Sequence, residues 1–149
     1  MLDKLLSLIR NPEAEIDLTD EEGHEAVAAI LVEAAHADGV YAESERQAID
    51  RVLARHYGLS PGEAEDLRAR GETAQAAALD LVQFTRAVKR AVEHEDRIAI
   101  IEAVWEVALA DGARDAMENA LVRKLCGLLY VPDRDAGLAR QRVMARLGL

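Results

Sequence analysis

One pattern occurs twice in this chain, and it constrains the fold more than any other feature. Residues 33–53 read EAAHADGVYAESERQAIDRVL, and residues 106–126 read EVALADGARDAMENALVRKLC. Glu33/Glu106, Ala35/Ala108, Ala37/Ala110, Asp38/Asp111, Gly39/Gly112 and Glu45/Glu118 all stand 73 positions apart. Each unit reads as helix, Ala-Asp-Gly break, loop and helix. An internal repeat of this kind is a supersecondary unit that buries its apolar face against its own copy.

The composition says what the units are made of. Half of the residues are hydrophobic but only 3% are aromatic, so Ala, Leu, Val and Ile must build the core. Alanine is the best helix former, and the β-branched and aromatic runs of strands are scarce. An all-α bundle with close, Ala-rich interfaces follows. The length suits a single domain over residues 1–149, with repeat units at about 19–58 and 95–131 and no linker-like stretch.

Apolar periodicity near 3.6 predicts helices at about 2–9, 20–37, 42–57, 61 into the seventies, 79–93, 95–109, 115–130 and 133–147. The stop signals are Asn11-Pro12, Asp38-Gly39, Gly58 and Val131-Pro132. Thr19-Asp20-Glu21-Glu22 and Ser60-Pro61-Gly62-Glu63 have the spacing of capping boxes. Gly39 suits a left-handed helix end, Gly71 is expected to weaken its helix, and Asp133 is expected to cap the last one.

The net charge of −10 argues against a sequence-independent grip on nucleic acid, which needs clustered Lys and Arg. Residues 1–75 carry 17 acidic and 7 basic side chains, whereas residues 76–149 carry 11 of each. The acidic first half attracts cations or basic partners, or else forms a solvated surface. A single cysteine permits no intramolecular disulfide and no thiol metal cluster. Cys126 stands where Leu53 stands in the first unit and is expected to be a small buried hydrophobe. The sequence has no apolar run of about 18 residues, so no direct membrane span is expected. The opening MLDKLLSLIRNP reads as neither signal peptide nor anchor, which makes the expected location cytoplasmic.

The repeated motif, A-D-G-x5-E, has two readings. In the structural one, Gly turns the chain at positive φ, Asp bonds free amides, and Asp115-x-x-Glu118 forms a capping box. Ala42 holds the matching cap position in the first unit, where Glu45 is nonetheless retained. In the functional reading, Asp38, Glu45, Asp111 and Glu118 supply oxygen ligands to a hard divalent cation, with Ca²⁺ the first candidate. The Gly-to-Glu spacing is that of an EF-hand loop, but the first ligand positions would be Ala34 and His36, or Val107 and Leu109. Neither unit is an EF-hand. His24, His36, His56 and His94 are scattered, and no nucleophile motif or phosphate loop occurs, so a non-enzyme is expected.

RIAIIEAVWEVALADG (97–112), with EAAHADG (33–39) and the two downstream glutamates, resembles the TerB tellurite-resistance family of bacterial proteins. DLVQFTRAVK (80–89) and LCGLLYVPDRDAGLARQRV (125–143) are similar to its stand-alone members. The resemblance implies a bundle of about seven or more helices in which two similar halves pack together. It also implies a cytoplasmic stress or tellurite-resistance module, a candidate for metal binding or sensing. The implied partners are proteins, including membrane-associated complexes. A monomer or homodimer is expected, and no nucleic-acid partner on the charge given above. The family's acidic positions fall on Asp38, Glu45, Asp111 and Glu118. Two departures are Arg114, where Tyr41 stands in the first unit, and Ala42, which lacks capping chemistry. The alternative is a metal-free helical interaction scaffold whose motifs only cap helices.

Overall fold

Alanine density decides how closely the first helix can be approached. In the computed structural model, α1 (Asp20–His36) buries Ala26, Val27, Ala28, Ala29, Ile30, Leu31, Val32, Ala34 and Ala35 at 4% exposure or less. A helix apolar on every side must be covered on every side. Around it pack α2 (Glu43–Tyr57), α3 (Pro61–Ala77), α4 (Val82–Ala91) and α5 (His94–Ala108). The structure describes residues 20–37, 39–110 and 116–149, and the side chains of 20 and 116–119 fall outside that description. The helix expected at 2–9, the Thr19 cap, Asp38 and residues 111–115 also lie outside the described residues.

The second half repeats the plan. Ile100, Ile101, Val104, Trp105 and Val107 of α5 are buried against α6 (Ala116–Leu129), α7 (Asp133–Leu147), α2 and α4. The described residues thus form seven helices and no strand: α1–α2–α3 and α5–α6–α7 are the halves, and α4 joins them. None of these helices is long and apolar enough to cross a membrane.

The repeat runs further than the sequence pattern does. Leu67 and Gly71, the seventh and eleventh residues of α3, are buried, and so are Ala139 and Val143 at the same positions of α7. Because α6 has 14 residues and α2 has 15, the spacing between the halves drops from 73 to 72 before this last helix. The second helix of each half is closed in the same way. Gly58 (φ 62°) ends α2 with Leu59 N–H on the Ala54 carbonyl at 3.0 Å. Tyr130 (φ 57°) ends α6 with Val131 N–H on the Cys126 carbonyl at 2.9 Å. A tyrosine thus takes a left-handed position at which a Cβ costs about 1–2 kcal/mol.

Local signals placed several ends correctly. Gly39 adopts φ 83° after α1. Ser60 Oγ accepts from Glu63 N–H at 3.2 Å, while Glu63 Oε1 accepts from Ser60 N–H at 3.0 Å. Ser60→Ala is expected to lose about 1 kcal/mol of stability, read as a shift of the urea midpoint at unchanged slope. Other expectations need correction. Pro132, not Asp133, holds the cap position of α7, where it offers no side-chain bond. The fourth helix starts at Val82 rather than near 79, because Asp80 Oδ1 accepts from Val82 N–H at 2.8 Å and fixes the start there. Gly71 does not interrupt α3, which runs through it unbroken. A Cβ on Gly71 would lie 2.7 Å from the Ala28 Cβ and 2.8 Å from its carbonyl carbon, so the glycine lets α3 close onto α1.

Candidate functional site

The break between α1 and α2 is built from short-range contacts. Gly39 N–H donates to the His36 carbonyl at 2.9 Å, and its positive φ turns the chain away from α1. Tyr41 then folds back, its ring 4.6 Å from His36 and 4.4 Å beneath the Arg46 guanidinium. Burial, reinforced by the Glu72 carboxylate, raises the Tyr41 phenol above its ordinary range. Ala42 is extended at the cap of α2 and has no acceptor to give. The reciprocal half of the box survives: Glu45 Oε1 accepts from Ala42 N–H at 3.0 Å. Glu45 is only 2% exposed.

Of the four acidic motif residues, Glu45 is therefore placed in detail, at the first turn of α2. Asp38, Asp111 and the side chain of Glu118 lie outside the described residues, as do the Asp115 cap and Arg114. Among the described residues, no group of three or more His, Cys, Asp and Glu side chains is arranged to hold a metal ion.

The other repeated acids tie helices together. Glu33 Oε2 accepts from Gln75 Nε2 at 2.7 Å, joining α1 to α3. Its counterpart Glu106 takes both terminal nitrogens of Arg55 at 3.2 and 2.6 Å, joining α5 to α2. Burial opposes ionisation of Glu106, but the bond and charge of Arg55, with Arg146 behind it, hold its carboxyl below the usual range. Glu102 beside it accepts from Arg142 at 3.3 Å and Arg146 at 3.2 Å, bringing in α7.

Two features escape a reading of the sequence. Arg97 donates to the carbonyls of Lys89, Val92 and Leu129, and so gathers the ends of α4 and α6 onto α5. Its place at the head of the resembling segment was visible, but its partners are 5 to 32 residues away. Trp105 and Arg140 meet across a cleft of about 460 Å³ between α5, α6 and α7. Cys126 also lines that cleft, and burial, helped by Asp133, pushes its thiol up to about 11, so it remains a protonated hydrophobe at neutral pH.

Two helical halves, each interrupted after its first helix and each with a glutamate of that helix bonded to a neighbouring helix, define a carboxylate-bearing helical repeat module. The chain belongs to the TerB family: the family model described as tellurite resistance protein TerB matches residues 24–141. That span takes in both breaks and every helix from α2 to α6 in full. No curated protein and no solved structure matches the chain.

Proposed function

We propose that this chain is a binding module of the tellurite-resistance type that takes up a divalent cation, Ca²⁺ first, at its acidic motifs. Asp38, Glu45, Asp111 and Glu118 are the ligands in this reading. Oxygen donors of this kind suit a hard cation and not the soft chemistry of tellurite. The observation that carries it is a contrast between two glutamates in the same role. Glu63 and Glu45 each accept a backbone N–H at 3.0 Å three residues upstream. Glu63 does so in open solvent, whereas Glu45 is withdrawn to 2% exposure. Capping therefore does not require burial, and in this reading the carboxylate of Glu45 is held back from water because it serves a cation as well as the cap.

The module then works in the cytoplasm through protein partners, including membrane-associated complexes, and by binding rather than catalysis. The Ala42–Glu45 bond itself favours a second reading, in which the motif only closes α2 and the chain is a metal-free scaffold. Glutamine keeps an acceptor for Ala42 N–H but removes the charge, so it separates the two. Calorimetric titration of chelator-stripped protein with Ca²⁺, Mg²⁺, Mn²⁺ and Zn²⁺ is expected to show saturable binding. Glu45→Gln is expected to weaken it about tenfold or more with helicity intact. Glu45→Ala is expected to lose about 1 kcal/mol of stability as well. Absence of binding by all four ions, with Glu45→Gln as stable as wild type, would leave the scaffold reading standing.

A further inference from the structure

We propose that the cleft between α5, α6 and α7 binds a small organic carboxylate, held by the Arg140 guanidinium and the Trp105 indole N–H. Arg68 and Arg140 are both the eighth residue of the third helix in their halves. In the first half, Arg68 Nε donates to Asp50 at 2.6 Å and its Nη1 to Glu72 at 2.8 Å. Asp50 is the eighth residue of α2, and the eighth residue of α6 is Arg123. Glu72 is the twelfth residue of α3, and the twelfth of α7 is Met144. Both carboxylates that satisfy Arg68 are thus lost around Arg140, and one is replaced by a second cation.

The consequence is visible atom by atom. Arg140 Nε, the counterpart of the nitrogen that Asp50 takes on Arg68, is buried and meets no hydrogen-bond acceptor among the described residues. Trp105 Nε1 is likewise buried and without an acceptor there, on a side chain that is 4% exposed and lines the cleft. Unmet buried donors are costly and uncommon in folded proteins. The Arg140 guanidinium lies 5.6 Å from the indole centroid, so both donors belong to the same wall of the cleft. Arg123 adds positive charge on the same wall, while Asp133 stands exposed at the rim.

Val122, Cys126 and Ala136 supply an apolar wall, and the volume of about 460 Å³ falls in the range of small-molecule sites. Carboxylate is the anion to expect, because carboxylates satisfy the equivalent arginine in the first half. The apolar wall calls for a short hydrocarbon body attached to it. This inference does not depend on the cation reading, because it invokes none of the four motif carboxylates.

Trp105 is the only tryptophan, so both the fluorescence and the single indole Nε1–H resonance report on this cleft alone. Titration of the full chain with hexanoate is expected to shift both signals saturably. 1-Hexanol and inorganic phosphate are each expected to bind at least about tenfold more weakly, since a charge-assisted bond or the apolar contact is then missing. Arg140→Gln and the exposed Arg123→Gln are expected to weaken hexanoate. Arg123→Asp returns a carboxylate to the position of Asp50 and is expected to abolish binding while leaving the melting midpoint unchanged or higher. The proposal is overturned by no saturation up to about 10 mM, by equal response to hexanol or phosphate, or by undiminished binding in Arg123→Asp.

Discussion

Gly71→Ala lowers stability by about 2 kcal/mol, although alanine is the better helix former. Exchanging glycine for alanine inside a helix ordinarily gains about 1 kcal/mol. At Gly71 the new methyl meets the Ala28 Cβ at 2.7 Å, the Ala28 carbonyl carbon at 2.8 Å and the Ala29 nitrogen at 3.0 Å. Two of those three atoms are backbone of the most buried helix in the molecule and cannot swing aside. Relief requires α3 to back away from α1, along the interface where Ala64 and Leu67 are also buried. Overpacking costs typically 1–3 kcal/mol, and rigid backbone neighbours place this site at the upper end, so the steric term exceeds the propensity gain. Gly127 is the internal control: it sits in α6, and a Cβ added there would meet nothing within 4 Å, so Gly127→Ala is expected to gain about 0.5–1 kcal/mol. Thermal unfolding should move the two variants in opposite directions, by about 4–8 °C down and about 1–4 °C up. Equal shifts upward would mean that α3 rides on α1 less closely than these distances state.

The same glycine shows where sequence reasoning ends. Gly39, Gly58 and the Ser60–Glu63 box are legible because their partners lie within a few residues, and the structure places them as expected. Gly71 is misleading in the sequence because the reason for it is Ala28, on another helix. The third helix of the repeat left no shared motif: Leu67 against Ala139 and Gly71 against Val143 preserve burial without preserving identity. The one-residue difference between α2 and α6 further hides the match of Arg68 with Arg140 behind a change of register. At the acidic motif the sequence identified Glu45 as a residue worth retaining, and its bond to Ala42 N–H accounts for part of that. Its burial, which carries the functional argument, depends on tertiary packing that no local pattern reports.

Arg97 is expected to be the most consequential charged side chain for stability, with Arg97→Met costing about 2–4 kcal/mol. Its guanidinium donates through Nε to the Val92 carbonyl at 3.2 Å, through Nη1 to Leu129 at 3.3 Å and through Nη2 to Lys89 at 3.2 Å. Those carbonyls lie at the C-terminal ends of α4 and α6, where backbone acceptors lack helical partners and carry negative partial charge. One planar cation therefore ends two helices and fixes them to the start of α5. The ion pairs elsewhere offer a useful scale. Arg55 is 54% exposed in its pair with Glu106, and such solvated pairs contribute about 0–1 kcal/mol. Methionine at 97 keeps the apolar stem but strands three partly buried acceptors. Arg97→Lys keeps the charge, yet a single ammonium cannot serve three carbonyls held in a fork, so it should recover less than half of the loss. Urea unfolding at unchanged slope separates these outcomes. A lysine variant as stable as wild type would show that charge at the helix ends suffices and that the forked geometry contributes little.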